Sequence, residues 1–204
     1  MSLTELFVTS NFLTGTVPSS LGLLPNLISC WLDGNILEGT LPPFTGNRNA
    51  LATLVLGDNR LTGAAHDLIL SLPTSVMNIV ADSNRFTGSI PTEIGLFTGL
   101  EFLDFFSNSV TGTLPTELGS LIDMDSLALS RNEMNGTIPT QFGNLQVATF
   151  LEIGENSYNG TLPSEIGDMT SLSRLVFSNN DLTGTVPSTW RQLTNLGKTG
   201  TNIL

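Results

Sequence analysis

Side chains able to make or break covalent bonds are scarce in this chain, which has one histidine, His66, one cysteine, Cys30, one tyrosine and one lysine, Lys198. A nucleophilic triad needs a base beside a hydroxyl or thiol and a third group to orient it, and a Schiff base needs a desolvated lysine. Here each part is single and lacks neighbours, so no enzyme is expected. His66 sits in the irregular run Thr62-Gly63-Ala64-Ala65-His66-Asp67 and reads as a surface residue rather than a base. Cys30 falls where related segments have leucine, so a buried free thiol is expected, and no disulfide can form within one chain. Carboxylate pairs such as Glu152 and Glu155 are what so acidic a surface brings together by chance. Asp33, Asp58 and Asp82 could supply at most a loose part of the six to eight oxygens that Ca²⁺ takes, and there is no calcium loop motif, so neither a metal nor a cofactor is expected.

The informative spacing is that of asparagine. Asn11, Asn35, Asn59, Asn84, Asn108, Asn132, Asn156 and Asn180 recur every 24 residues, with one extra residue before Asn84. A fixed period of this length marks units that cannot bury their own apolar face and must stack on one another. Eight residues before each Asn stand Leu3, Leu27, Leu51, Val76, Leu100, Met124, Ala148 and Leu172. Five before stand Leu6, Cys30, Leu54, Ile79, Leu103, Leu127, Leu151 and Leu175, and three before stand Val8, Leu32, Leu56, Ala81, Phe105, Leu129, Ile153 and Phe177. The last two columns alternate with period two, which predicts a short half-buried strand in each unit and a parallel sheet once the units stack. At the turn leaving the strand, the Asn amide can bond the backbone of its own and the next coil. Four residues on, an unbroken glycine column, Gly15, Gly39, Gly63, Gly88, Gly112, Gly136, Gly160 and Gly184, predicts a conformation or a close contact that a Cβ would obstruct. Proline follows three residues later in every unit but the one with His66.

These columns read LxxLxxLxLxxNxLTGxIPxxLGxL and resemble the plant-specific class of leucine-rich repeats, found in receptor-like kinases, receptor-like proteins and polygalacturonase inhibitors. The Thr-Gly-Thr and Pro-Thr-Glu-Leu-Gly variants at residues 111 to 119 also resemble secreted leucine-rich repeat proteins of diatoms and other algae. The resemblance implies an α/β leucine-rich repeat solenoid, a right-handed horseshoe. It would have a concave parallel β-sheet, a second short strand near Thr-Gly-Thr, and 3₁₀ or short helical turns on the convex side. Pro91-Thr92-Glu93, Pro115-Thr116-Glu117 and Pro163-Ser164-Glu165 put a fixed φ and negative charge where such a turn would begin. Gly95, Gly119 and Gly167 are expected to stop it.

Residues 1–204 are expected to form a single domain of eight repeats plus a partial C-terminal unit, Leu196 onward, in which Thr199 and Leu204 fall where Leu and Asn belong. No separate caps are recognisable, which predicts fraying or end-to-end association. A formal net charge of −11 and a pI near 4.2 argue against nucleic acid and against anionic membrane surfaces. No apolar run is long enough to span a bilayer, and no leader opens the chain.

Positions six, four, two and one before each Asn face away from the core on the strand side, where the resemblance places partner binding. Four before the Asn, the first units give Phe7, Trp31, Val55 and Val80, an exposed apolar column with no structural need. Asp33, Asp58 and Asp82 lie beside it, and Phe102 and Phe106 flank Asp104 on the next strand. The expected ligand is a peptide or protein segment, or a glycan, on the concave face, with Trp31 as anchor and carboxylates receiving Arg or Lys; a homodimer through the same stripe is the other occupant. Asn135-Gly136-Thr137 and Asn159-Gly160-Thr161 are N-glycosylation sequons, suggesting a secreted or cell-surface protein. Signalling or defence is the role the resemblance implies, with a polygalacturonase-inhibitor-like role next. The Thr-x-Thr repeat, such as Thr111 and Thr113, also resembles the arrays of ice-binding solenoids, against its simpler use as exposed strand residues.

Overall fold

The computed structural model describes residues 3–46 and 50–197, so Lys198, Thr199 and Leu204 lie outside the described residues. Each repeat makes one coil, numbered 1 to 8 by its Asn. The inner strands are Glu5–Phe7, Ser29–Trp31, Thr53–Val55, Asn78–Val80, Phe102–Asp104, Ser126–Ala128, Phe150–Glu152 and Arg174–Val176, joined in that order into one eight-stranded parallel sheet on the concave side. Register is set by the middle residue of each strand. Leu6 pairs with Cys30, Cys30 with Leu54, and so on to Leu151 with Leu175. Those residues point inward and join one continuous core with the columns eight and three before the Asn. In the middle coils all three columns are closed to solvent, whereas Leu3 of coil 1 is 47% exposed.

Outer strands follow each Asn and form two four-stranded parallel sheets, Thr14–Thr16 through Arg85–Thr87 and Thr111–Thr113 through Asp181–Thr183. The Asn side chain ties the two strands of a coil together. Asn35 donates to the carbonyls of Leu32 and Asp33 in its own coil and of Val8 in coil 1, and accepts from the backbone N–H of Leu13. The same pattern recurs at Asn59, Asn84, Asn108, Asn132, Asn156 and Asn180. The inter-coil bonds therefore reach the preceding coil and not the following one, because the side chain leans back across the turn it has just closed. Asn11, in the first coil of the described residues, bonds Val8 and Thr9 of its own coil.

The glycine column has positive φ throughout, from 69° to 117°. It also lies against a side chain: a Cβ on Gly136 would stand 2.8 Å from Thr113 Cγ2, and one on Gly160 3.1 Å from Thr137 Cγ2. In coils 2, 3, 6, 7 and 8 the threonine methyl of the preceding coil thus covers the glycine. A second left-handed column precedes each Asn, and only Gly34 in it is a glycine; Ser10, Asp58, Ser83, Ser107, Arg131, Glu155 and Asn179 have φ between 50° and 59°.

Proline caps the convex 3₁₀ helices, including Thr92–Leu96, Thr116–Ser120 and Ser164–Asp168, each with a glutamate in its first turn. Gly95, Gly119 and Gly167 do not end these helices but lie inside them. A Cβ on Gly119 would fall 2.4 Å from the carbonyl oxygen of Gln141, so the glycine is required by the closeness of the next coil. Coil 3 replaces the 3₁₀ turn with the α-helix Ala65–Ser71, which takes up the one extra residue of the repeat.

Candidate recognition surface

Residues on either side of the inward-pointing centre of each inner strand face outward. The fourth position before the Asn is in register across the sheet: Phe7 beside Trp31, Trp31 beside Val55, Val55 beside Val80 and Val80 beside Asp104. Phe7 is 57% and Trp31 38% exposed, and their rings meet edge to face at 5.7 Å. Val55 and Val80 are half-buried. Two exposed residues that sequence reasoning missed, Ile28 and Met77, stand just before their strands and widen the apolar area. They sit seven before the Asn, outside the outward positions six, four, two and one before it.

The carboxylates are less uniform than the sequence suggested. Asp33, Asp58 and Asp82 do not form one column on the strands, because all three follow the strands and Asp58 lies one residue nearer its Asn than the other two. Asp33 accepts a hydrogen bond from Thr9 Oγ1 at 3.0 Å. Asp82 accepts from Ser83 Oγ at 3.1 Å and folds over Gly57, while Asp58 remains exposed. Burial raises the Asp82 carboxyl above its ordinary pKa, with Asp58 and Asp33 adding to the effect and hydrogen bonds opposing it. Among the described residues, no three His, Cys, Asp or Glu side chains converge where a metal ion could be held.

Asp104 differs from these. It sits in the sheet with one oxygen accepting the Phe106 backbone N–H at 2.8 Å, and burial pushes its carboxyl up to about 6, helped by Asp82 and Glu152. Phe102 lies exposed beside it. Phe106 is not open in the same way, because the Arg131 guanidinium lies over its ring at 5.2 Å and is held there by Glu155 at 2.9 Å. Glu152 is paired with Arg174. Coils 1 to 4 therefore present apolar side chains, and coils 5 to 7 present a half-buried acid and two internally paired acids.

Other chemical candidates stand apart from this sheet. Cys30 is buried and its thiol is pushed up to about 12 by desolvation, which suppresses the thiolate. His66 lies on the α-helix with Nε2 3.5 Å from Asp67 and its ring against Gly88 of the next coil. The threonine hydroxyls at Thr87, Thr111 and Thr183 bond carbonyls of the preceding coil, and the other threonine column packs its methyls on glycine, so both columns serve the stacking. A cavity of about 750 Å³ in coil 8 is lined by Phe177, Leu182, Val186, Trp190 and Leu196. No described helix is long and apolar enough to cross a membrane.

A stack of parallel inner strands, Asn-bonded turns and 3₁₀ connections defines a leucine-rich repeat solenoid. The Leucine Rich Repeat family model matches residues 2–24, 99–121 and 171–193. The receptor kinase-like protein Xa21 of Oryza sativa subsp. japonica is 35% identical over 94 residues, 43% of this chain and 9% of the relative. The plant peptide hormone receptor RGFR1, solved in complex with RGF2, superposes with a TM-score of 0.80 at 29% identity, covering 95% of this chain and 35% of that one. A Leptospira interrogans leucine-rich repeat protein, LIC12759, superposes at 0.78 with 34% identity, covering 94% and 47%. The chain is thus similar in repeat and fold to leucine-rich repeat proteins, plant receptor ectodomains among them. It spans about a tenth of the length of the curated relatives it matches and a third to a half of these two solved chains.

Proposed function

We propose that this chain is the recognition module of a secreted or cell-surface leucine-rich repeat protein, and that it binds an extended peptide segment across the inner sheet. The observation that carries this reading is the Phe7-Trp31-Val55-Val80 column, in register over four strands and open to solvent at its aromatic end. An exposed apolar stripe on an otherwise acidic surface has no role in holding the solenoid together. Its likeness to a peptide hormone receptor solved with RGF2 supports a peptide over a small molecule. Trp31 is the anchor, and the carboxylates of Asp58 and Asp104 favour Arg or Lys in the ligand.

The test uses a displayed library of random twelve-residue peptides against the purified chain. Selected binders should combine apolar and basic residues, and Trp31→Ala with Val55→Asp should weaken them at least about 30-fold, the loss of one interface hot spot. Binders that ignore both substitutions overturn the concave stripe as the site. Light scattering on the unliganded chain separates self-association: a dimer that Trp31→Ala dissociates assigns the stripe to a second copy instead.

A further inference from the structure

Three residues after each repeat Asn, coils 6 and 7 carry asparagine where coils 1, 3, 4, 5 and 8 carry threonine and coil 2 carries Glu38. Thr87, Thr111 and Thr183 occupy this position in coils 4, 5 and 8, and each donates its hydroxyl to a glycine carbonyl of the coil before. Coils 6 and 7 have Asn135 and Asn159 here. Both side chains are exposed on their strands, Glu133–Thr137 and Ser157–Thr161, and neither makes a hydrogen bond within the protein. Asn135 and Asn159 thus make none of the inter-coil bonds that threonine makes here in coils 4, 5 and 8.

Both asparagines are followed by glycine and threonine, and no other Asn-x-Ser/Thr occurs in the chain. Thr137 and Thr161 are exposed. Each directs its methyl toward the glycine of the next coil and has a hydroxyl without an internal partner. Around them the flank is polar, with Glu133, Ser157 and Asp181 exposed. From Thr14 through Thr183 the outer strands carry no exposed large apolar side chain.

We propose that Asn135 and Asn159 are paired N-glycan acceptors, and that their glycans cover the outer flank of coils 6 and 7 while leaving the inner sheet open. The inference rests on the extracellular part of the function proposed above, because the modification requires passage through a secretory route. In the transfer, the Asn Nδ2 forms a bond to the anomeric carbon of a polyprenyl-pyrophosphate-linked oligosaccharide. The bond from that carbon to the pyrophosphate oxygen breaks, the polyprenyl pyrophosphate leaves, and one amide proton goes to the transferase's base. The sequon threonine makes the site recognisable, so Thr137→Ser keeps it and Thr137→Ala removes it.

The whole chain, directed through the secretory pathway of insect cells by an added signal, should leave the cells carrying two glycans. After amidase treatment, which converts each modified Asn to Asp, intact mass should fall to that of the polypeptide with Asp at both sites. Asn135→Gln, Asn159→Gln and Thr137→Ala should each remove one glycan, and Thr137→Ser should retain both. Secreted protein that is folded by circular dichroism yet unmodified at both sites overturns the proposal, as does modification of Asn135 that persists in Thr137→Ala. Binding of the selected peptides should be unchanged in Asn135→Gln with Asn159→Gln, and a glycan-dependent loss overturns the claim that the inner sheet stays open. Peptide binding that fails in glycosylated and unglycosylated protein alike counts against the peptide reading and leaves the acceptor assignment standing.

Discussion

Asp104 is a carboxylate that the fold holds against its solvation preference, since its folded pKa is about 6 and the ordinary value is near 4. The folded chain therefore binds more protons than the unfolded one between those values, and stability falls as pH rises from about 4 to 6 and is level above. Asp104→Asn keeps an acceptor for the Phe106 N–H and removes the buried charge. It should raise stability at pH 7 by about 1–3 kcal/mol and flatten the pH dependence of urea unfolding across that window. A variant less stable than wild type at pH 7 would contradict this account. The repeat asparagines behave oppositely. Asn108→Ala strands the N–H of Phe86 and removes one donor from the carbonyls of Ala81, Phe105 and Phe106, which keep Asn84, Asn132 and the Ser83 N–H respectively. It should cost about 1–3 kcal/mol, whereas Asn11→Ala, which removes two carbonyl contacts in an exposed turn where Val8 is still bonded by Asn35, should cost under about 1 kcal/mol by the same measurement. The asparagine column was legible because every coil needs the same amide in the same place. Asp104's raised pKa was not, since it follows from burial among stacked coils and from the charges of Asp82 and Glu152, 22 and 48 residues away, which local pattern does not relate to it.

At the scale of a strand and its turn, two reasons for glycine can be separated. Gly15 has φ +82° and open space where a Cβ would go, while Gly136 has φ +81° and Thr113 Cγ2 at 2.8 Å. Gly15→Ala should therefore cost the left-handed strain alone, about 1–2 kcal/mol. Gly136→Ala should cost visibly more, and Thr113→Ser should recover the difference by removing the methyl; equal thermal shifts for both glycines would refute the contact. The period announced the glycine column, but not the second left-handed column just before each Asn, because serine, arginine and glutamate stand there and residue type hid the backbone. Ser107→Gly, with φ 55° relieved, should stabilise by about 1 kcal/mol. The glycines inside the 3₁₀ turns were misread as stops for a related reason: a helix terminator and a site of close approach ask for the same residue.

Across the whole molecule, stability is graded because each coil is buried by its neighbours on both sides. Leu103 is fully closed while Leu6, its equivalent in coil 1, is only partly buried. Leu103→Ala should cost about 3–5 kcal/mol and Leu6→Ala much less, and amide exchange should be slowest in coils 4 to 6. The architecture was legible almost entirely, since stacking repeats the same demand eight times over. The recognition surface was legible only as a column of candidates. Outward positions carry no such demand, so the sequence could not tell that Phe106 lies under Arg131, that Glu152 is held by Arg174, or that Ile28 and Met77 extend the apolar area.

The backward reach of the asparagines bears on how the chain is made. Asn35 seeks Val8, Asn59 seeks Leu32, and Asn180 seeks Ile153. As the polypeptide leaves the ribosome, the acceptors each new Asn requires have already been synthesised. A newly emerged coil can lock onto its predecessor at once, and the array can grow from its N-terminal end like a zipper fed one tooth at a time.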